Sequence, residues 1–468
     1  MLFSSITFIF MFLPIVCVTY LLSYKKLRNY ILLAASLVFY AWTEPHYLGI
    51  ILFSIFVNYT GAYCISKSHK PHQRKLFLLI TIIIDLELLF CFKYFNFAAE
   101  IINSALNANI GFIDMLLPIG ISFYTFQSLS YVIDVYRKEV SPQYNIFKLA
   151  LYICFFPQLV AGPIIKYHDI ERQIDNRSEN FNKVAYGVKR FIIGLAKKML
   201  IADILGAVAD KIFAQPVEQF DTLTAWVGAI AYSFQIFYDF AGYSDMAIGL
   251  GYIFGFKFLE NFNYPYISKS ITEFWRRWHI SLSTWFKEYL YIPLGGNRVT
   301  KSRNYFNLLI VFLITGLWHG ATWNFIVWGF WHGIFIIFEK ITCWHKKEGN
   351  RCLKIAHHFY TILIVVVGWV IFRADTLPYA YSYVKNMFGL IKEHHISYEY
   401  AYYIDNVEKL VFVVALFLSM PIFSKILVTK YSSNLYHIVV NIWLLFLFVL
   451  SVAKIAASTY SPFIYFRF

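Results

Sequence analysis

Apolar residues fall in long runs near 2–23, 30–42, 47–66, 76–93, 115–136, 147–165, 188–206, 222–256, 307–339, 360–373, 409–426 and 438–458. A membrane-crossing helix takes about 20 mostly apolar residues in a row. The pattern therefore predicts an all-α integral membrane fold of roughly ten to twelve membrane segments. The 30–42 run is short for a crossing and needs its flanks to complete one.

Basic residues between the runs set an orientation. Lys25, Lys26 and Arg28 follow the first run, and Lys67, Lys70, Arg74 and Lys75 follow the third. Cytoplasmic loops collect Lys and Arg, so both loops are expected inside, with the N-terminus and the turn at Thr43, Glu44, Pro45 and His46 outside. Arg137 and Lys138 then fall inside. Counting fails in the middle, because 257–306 and 340–354 are both strongly basic yet only 307–339 separates them. A straight helix of that length overshoots about 30 Å of hydrocarbon at 1.5 Å per residue. A bent or re-entrant hairpin resolves the conflict, and irregular backbone at membrane depth is tolerated only inside protein or beside a wet cavity. No internal repeat or soluble domain stands out, so residues 1–468 read as one membrane domain.

Composition agrees: 59% of the 468 residues are hydrophobic and 15% charged. Soluble domains hold about 45–50% apolar residues and about 25% charged ones. The formal charge of +14 is spread among loops, which anionic lipid headgroups account for without a nucleic-acid partner. Cys17, Cys64, Cys91, Cys154, Cys343 and Cys352 are scattered, with no CxxC or Cys/His cluster. Neither a disulfide framework nor a metal site is expected. The N-terminus has no basic leader and reads as a retained first span.

Two constellations carry candidate chemistry. Residues 271–285, read as one helix, put Ile271, Phe274, Trp278, Leu282, Trp285 and Tyr289 on one face and Thr272, Arg276, His279, Ser283 and Lys287 on the other. Such a helix suits the cytoplasmic membrane boundary. It is either an interfacial anchor with a solvated His279, or a site where His279, Arg276 and Arg277 meet an anionic donor such as an acyl thioester of coenzyme A, since guanidinium groups fork onto phosphate.

The second is Gly316-Leu317-Trp318-His319-Gly320, followed by Asn324, inside the longest central run. Ionisable groups at membrane depth usually mark substrate paths or relays, and flanking glycines admit a close approach. The alternative is a histidine that only bonds a neighbouring helix. His332 reads as a packing residue. Acyl transfer from a thioester to an alcohol needs a base for the hydroxyl proton, a part a neutral histidine can play. No Gly-x-Ser-x-Gly elbow occurs, so no serine acyl-enzyme is expected.

Gln235, Tyr238, Asp239, Tyr243, Ser244 and Asp245 interrupt another apolar stretch. They are read as cavity lining that binds substrate, or, for Asp239 and Asp245, as helix caps or partners of a cytoplasmic arginine. Gly249, Gly251 and Gly255 have the wrong spacing for a dinucleotide loop and read as close helix packing. Pro157 and the Gly162-Pro163 pair are expected to break the 147–165 run.

These motifs carry a resemblance. Residues 117–127, 238–245, 260–266, 273–285 and 291–298, the Trp318-His319-Gly320 triplet and the terminal 462–468 are similar to the membrane-bound O-acyltransferase family, and within it to the alginate O-acetyltransferase branch, with a signature core over about 115–340. The resemblance implies a ring of helices around a thin centre, a cytoplasmic donor entrance, an outward acceptor cavity, and His319 as the catalytic histidine with His279 in a second signature region. It also implies a bacterial cytoplasmic (inner) membrane enzyme with acetyl coenzyme A or another thioester as donor, no bound cofactor, an exported glycan as acceptor and a partner protein with an extracytoplasmic domain. The rival from another class is a transporter or flippase of a lipid-linked sugar. Such folds commonly show inverted repeats, and none is evident.

Overall fold

The computed structural model describes the chain except residues 43–44, 161, 345–349, 392–395, 397, 423–433, 458–462 and 464–468. Half of the 43–46 turn, part of the basic 340–354 segment and all of the terminal 462–468 motif but Phe463 therefore lie outside the described residues. Among the described residues every regular element is a helix. Four helices are long and apolar enough to cross a membrane: Pro45–Lys67, Trp323–Thr342, Arg351–Arg373 and Tyr436–Ala457.

The chain divides into two compact units, Met1–Phe191 with Tyr243–Leu259, and Ile192–Gly242 with Glu260–Phe468. Two of the three divisions fall inside the helices Phe181–Ala196 and Thr222–Ile253, and the third between Leu259 and Glu260. In the first unit, Phe8, Phe12, Phe39 and Phe156 form a tilted and edge-on cluster with centroids 5.4–6.2 Å apart. Aromatic rings prefer that geometry because the edge of one meets the electron-rich face of another. Helices Leu48–Lys67 and Pro71–Leu89 are joined by a buried polar contact in which Asn58 and Ser54 donate to Asp85 at 2.9 and 3.2 Å. Backbones meet closely at Gly249, where an added Cβ would sit 2.5 Å from the Gly187 carbonyl. That is the helix packing expected of the glycines there.

The 147–165 run is not one helix. Helix Ile146–Cys154 ends at Phe155, and a short turn Phe156–Leu159 with Pro157 in its first turn follows, as a missing amide donor dictates. The 76–93 run behaves differently from its hydropathy: helix Pro71–Leu89 continues through a wide turn, Phe90–Tyr94, into the helix Phe95–Leu106.

In the second unit the 307–339 run is a hairpin. Helix Lys301–His319 stops at Gly320, and helix Trp323–Thr342 returns along it. The two backbones nearly touch. A Cβ on Gly316 would lie 2.2 Å from the Phe325 carbonyl oxygen, and one on Gly329 2.3 Å from that of Phe312. No side chain fits in that space, so a one-carbon addition must push the helices apart. Gly316→Ala is expected to destabilise the protein by about 1–3 kcal/mol, the usual cost of overpacking. Gly49→Ala, where nothing lies within 4 Å, should leave it unchanged or slightly more stable. Thermal unfolding of both variants in detergent checks the contrast.

Candidate active site

The site is built where the hairpin turn meets an irregular segment. His319 is the last residue of its helix, and its imidazole is buried among three aromatic rings. Trp318, Trp328 and Phe372 stand edge-on to it with centroids 5.0, 5.1 and 5.1 Å away.

Residues 271–285 are not one helix, which corrects the two-faced assignment. Helix Ile271–Arg277 ends, the chain turns through His279 in the left-handed region at φ 44°, and helix Ile280–Phe286 begins. His279 is consequently buried instead of sharing a polar face with Arg276. The cause is the segment after Glu260. The Asn263 amide donates to the Arg277 carbonyl and the Ile280 amide to that of Asn261, both at 2.9 Å. The Asn261 side-chain oxygen accepts from the Ser281 amide and hydroxyl at 3.1 and 2.9 Å and lies 3.3 Å from His279 Nδ1. These bonds satisfy backbone groups that a continuous helix would have paired internally. They also fix the ring so that Nε2 of His279 is buried with no hydrogen-bond partner among the described residues.

The two histidines both contact one indole. Trp318 is 6.1 Å from His279 and 5.0 Å from His319, centroid to centroid. Phe240 closes the far side of His279 at 4.6 Å. His332 continues the aromatic wall, 5.1 Å from both Trp275 and Trp328.

Of the other expected residues, Asn324 donates to the Ala374 carbonyl, which pins the start of one helix to the end of Arg351–Arg373, the helix carrying Phe372. Arg276 is exposed. Arg277 is held by Glu273 at 2.9 Å and donates to the Asn263 carbonyl at 3.1 Å. Asp239 is buried against Lys198 at 3.0 Å, and Lys198 also meets Asp203 at 2.7 Å. In the first unit, Asp245 pairs with Arg190 at 2.6 Å. Asp245 thus has an arginine as partner, whereas the partner of Asp239 is a lysine in place of the expected arginine. One cluster among the described residues, Asp134, Glu139 and His168, has metal-ligand groupings. Hydrogen bonds from its ring to Asp134 and Asp169 push His168 up to about 10.

This arrangement sets two buried imidazoles among aromatic rings, a pair suited to proton transfer at a bound hydroxyl. Comparison with known proteins bears on what it serves. The profile of the membrane-bound O-acyltransferase family matches residues 136–347. The chain is similar to the probable alginate O-acetylase of Azotobacter vinelandii, 39% identical over 100% of both chains. The chain belongs to the membrane-bound O-acyltransferase family. It is a multi-pass membrane acyltransferase with relatives in bacteria, among them the probable alginate O-acetylase of Pseudomonas syringae pv. tomato, 45% identical over 83% of this chain and 75% of that one. The peptidoglycan O-acetyltransferase of Helicobacter pylori is 34% identical over 100% of this chain and 98% of the other.

In this acyltransferase two supporting residues escaped the sequence reading. Asn261 stood inside a quoted motif without a role. Glu339, fully buried in helix Trp323–Thr342, accepts from the Ile271 and Thr272 amides and the Thr272 hydroxyl at 2.5, 2.9 and 2.7 Å. A carboxylate at a helix N-terminus meets unpaired N–H groups and a favourable dipole. A lone acid in an apolar run was a usable signal. Glu339→Gln, with one acceptor oxygen in place of two, is expected to lower stability by about 1–3 kcal/mol through the donors left unpaired, read as a lower melting temperature. An unchanged melt would remove Glu339 as the anchor of the His279 segment.

Proposed function

We propose that this protein is an O-acetyltransferase that moves an acetyl group from a cytoplasmic thioester, acetyl coenzyme A or an equivalent, to hydroxyls of an exported polysaccharide or cell-wall glycan. The observation that carries the reading is the pair of buried imidazoles in contact with Trp318, one of them with no hydrogen-bond partner for Nε2 among the described residues. His319 acts as general base: it takes the acceptor hydroxyl proton as the oxygen attacks the thioester carbonyl. The new C–O bond forms, the C–S bond breaks, and the proton passes from the imidazolium to the departing thiolate. His279 Nε2 offers a donor or acceptor to the carbonyl oxygen or the hydroxyl, and the left-handed backbone that aims it is the kind of strain that functional sites hold. Aromatic walls keep water from intercepting the acyl group.

Arg276 is the free guanidinium for the donor phosphates, because Arg277 already serves Glu273. Trp318 and Asn324 shape the site; Asp239 and Asp245 act through their ion pairs. The proposal places the chain in the bacterial cytoplasmic membrane, with roughly ten to twelve segments, the N-terminus outside, and an extracytoplasmic acyltransferase as partner. Alginate and peptidoglycan, named for two relatives, support a glycan as the acceptor class. Family membership weighs against the transporter reading.

His319→Ala is expected to lower acetyl ester content of the exported glycan by roughly 10²–10⁴-fold at unchanged membrane insertion, measured by ester release from a complemented deletion strain. Wild-type ester content in that variant would overturn the mechanism. Arg276→Ala should raise the apparent KM for acetyl coenzyme A in membranes about tenfold, the size of one lost charge-assisted hydrogen bond, with kcat little changed. An unaltered KM would remove the donor role from that arginine.

A further inference from the structure

The first unit holds a basic cavity of about 340 Å³ that the acyl-transfer reading does not use. Its lining contributes five cations, Lys25, Lys26, Arg28, Lys148 and Arg177, against two carboxylates, Asp175 and Glu179. The floor is built. Arg28 pairs with Glu179 at 2.9 Å, while Arg177 donates to Asn29 at 2.6 Å, to the Ile174 carbonyl at 3.0 Å and to the Tyr20 hydroxyl at 3.0 Å. Tyr20 in turn donates to Glu179. Lys148 is taken up by Asp175 at 2.6 Å. Lys25 and Lys26, on the turn between the first two helices, are exposed at the rim and carry two of the three positive charges that the two carboxylates leave uncompensated, with Arg177 holding the third.

The rest of the lining is aromatic. Tyr30 and Phe147 stand edge-on at 5.7 Å, and both are exposed. The helix leading to the cavity, Leu13–Leu22, leaves Ile15, Val18 and Leu22 uncovered, and Arg28–Ala41, which leads away, leaves Val38 uncovered. A cationic pocket at the end of apolar exposed helices, rimmed by aromatic rings, is the pattern of a headgroup site at a membrane interface. A soluble anion has no use for the apolar approach; a phospholipid needs both parts.

We propose that this cavity binds the phosphate headgroup of an anionic phospholipid, whose acyl chains lie along the exposed faces of Leu13–Leu22 and Arg28–Ala41. Its volume sits at the lower end of ligand pockets, roughly 300–1,000 Å³, which suits a headgroup without its chains. Neither His319 nor His279 takes part, so the site stands or falls apart from the catalytic reading.

The test uses the full-length protein in phosphatidylcholine nanodiscs containing a minor fraction of phosphatidylglycerol, with retained lipid counted by native mass spectrometry. Wild type and His319→Ala are expected to retain phosphatidylglycerol in preference to phosphatidylcholine. Lys25→Glu with Lys26→Glu should lower that preference by about tenfold or more, with an unchanged melting temperature in pure phosphatidylcholine because both positions are exposed. Inorganic phosphate and acetyl coenzyme A, added in parallel, should not displace the lipid at concentrations that saturate exposed lysines. No preference for the anionic lipid, a preference that survives the charge reversal, or displacement by either soluble anion would overturn the proposal.

Discussion

The closure of the hairpin between Lys301–His319 and Trp323–Thr342 is the constraint on which the site depends. Two helices pack at this distance only where side chains are absent, and Gly316 and Gly329 supply that absence from both sides. The close crossing puts Trp318 and His319 at the end of one helix against Phe325 and Trp328 at the start of the next. Helix Arg351–Arg373 then brings Trp369 and Phe372 to the same place, with Trp328 and Trp369 centroids 6.1 Å apart and His319 and Phe372 5.1 Å apart. Rings of Trp318, Trp328 and Phe372 pack around the imidazole at 5.0–5.1 Å.

Two buried polar side chains near the histidines have a mechanical task. Glu339 seizes the free amides of Ile271 and Thr272, and so ties the segment carrying His279 to the hairpin carrying His319. Asn261 interrupts the helical ladder at His279 and replaces the lost bonds. Burying a carboxylate or an amide without partners would cost several kcal/mol, which is why each is met by several donors at once. The same economy explains Lys198 between Asp203 and Asp239. These residues hold geometry; the proposed chemistry belongs to the two histidines.

Family membership and the site address different levels. The match over the whole of a relative's length fixes the class of reaction. It does not say how the two histidines are related in space. Their shared contact with Trp318 does, and it turns two separate motifs into one candidate site. The basic cavity of the first unit shows that the loops which set the sequence-based orientation also form an ordered structure, with guanidinium groups fixed by Glu179, Tyr20 and Asn29.

The all-helical fold, the histidine at the hairpin turn and the family were legible in the chain itself, because each is written in local terms: long apolar runs, a charged group among them, and short motifs of fixed spacing. The need for a break within 307–339 was legible too, since length and loop charge conflicted there. The break at His279 was not, because periodicity alone favours an uninterrupted helix, and only Asn261, eighteen residues upstream in sequence, supplies the bonds that end it. Nor could spacing say whether Asp239 and Asp245 line a cavity or neutralise Lys198 and Arg190. A sequence records which groups carry charge; which charges meet is decided by the packing of helices far apart along the chain.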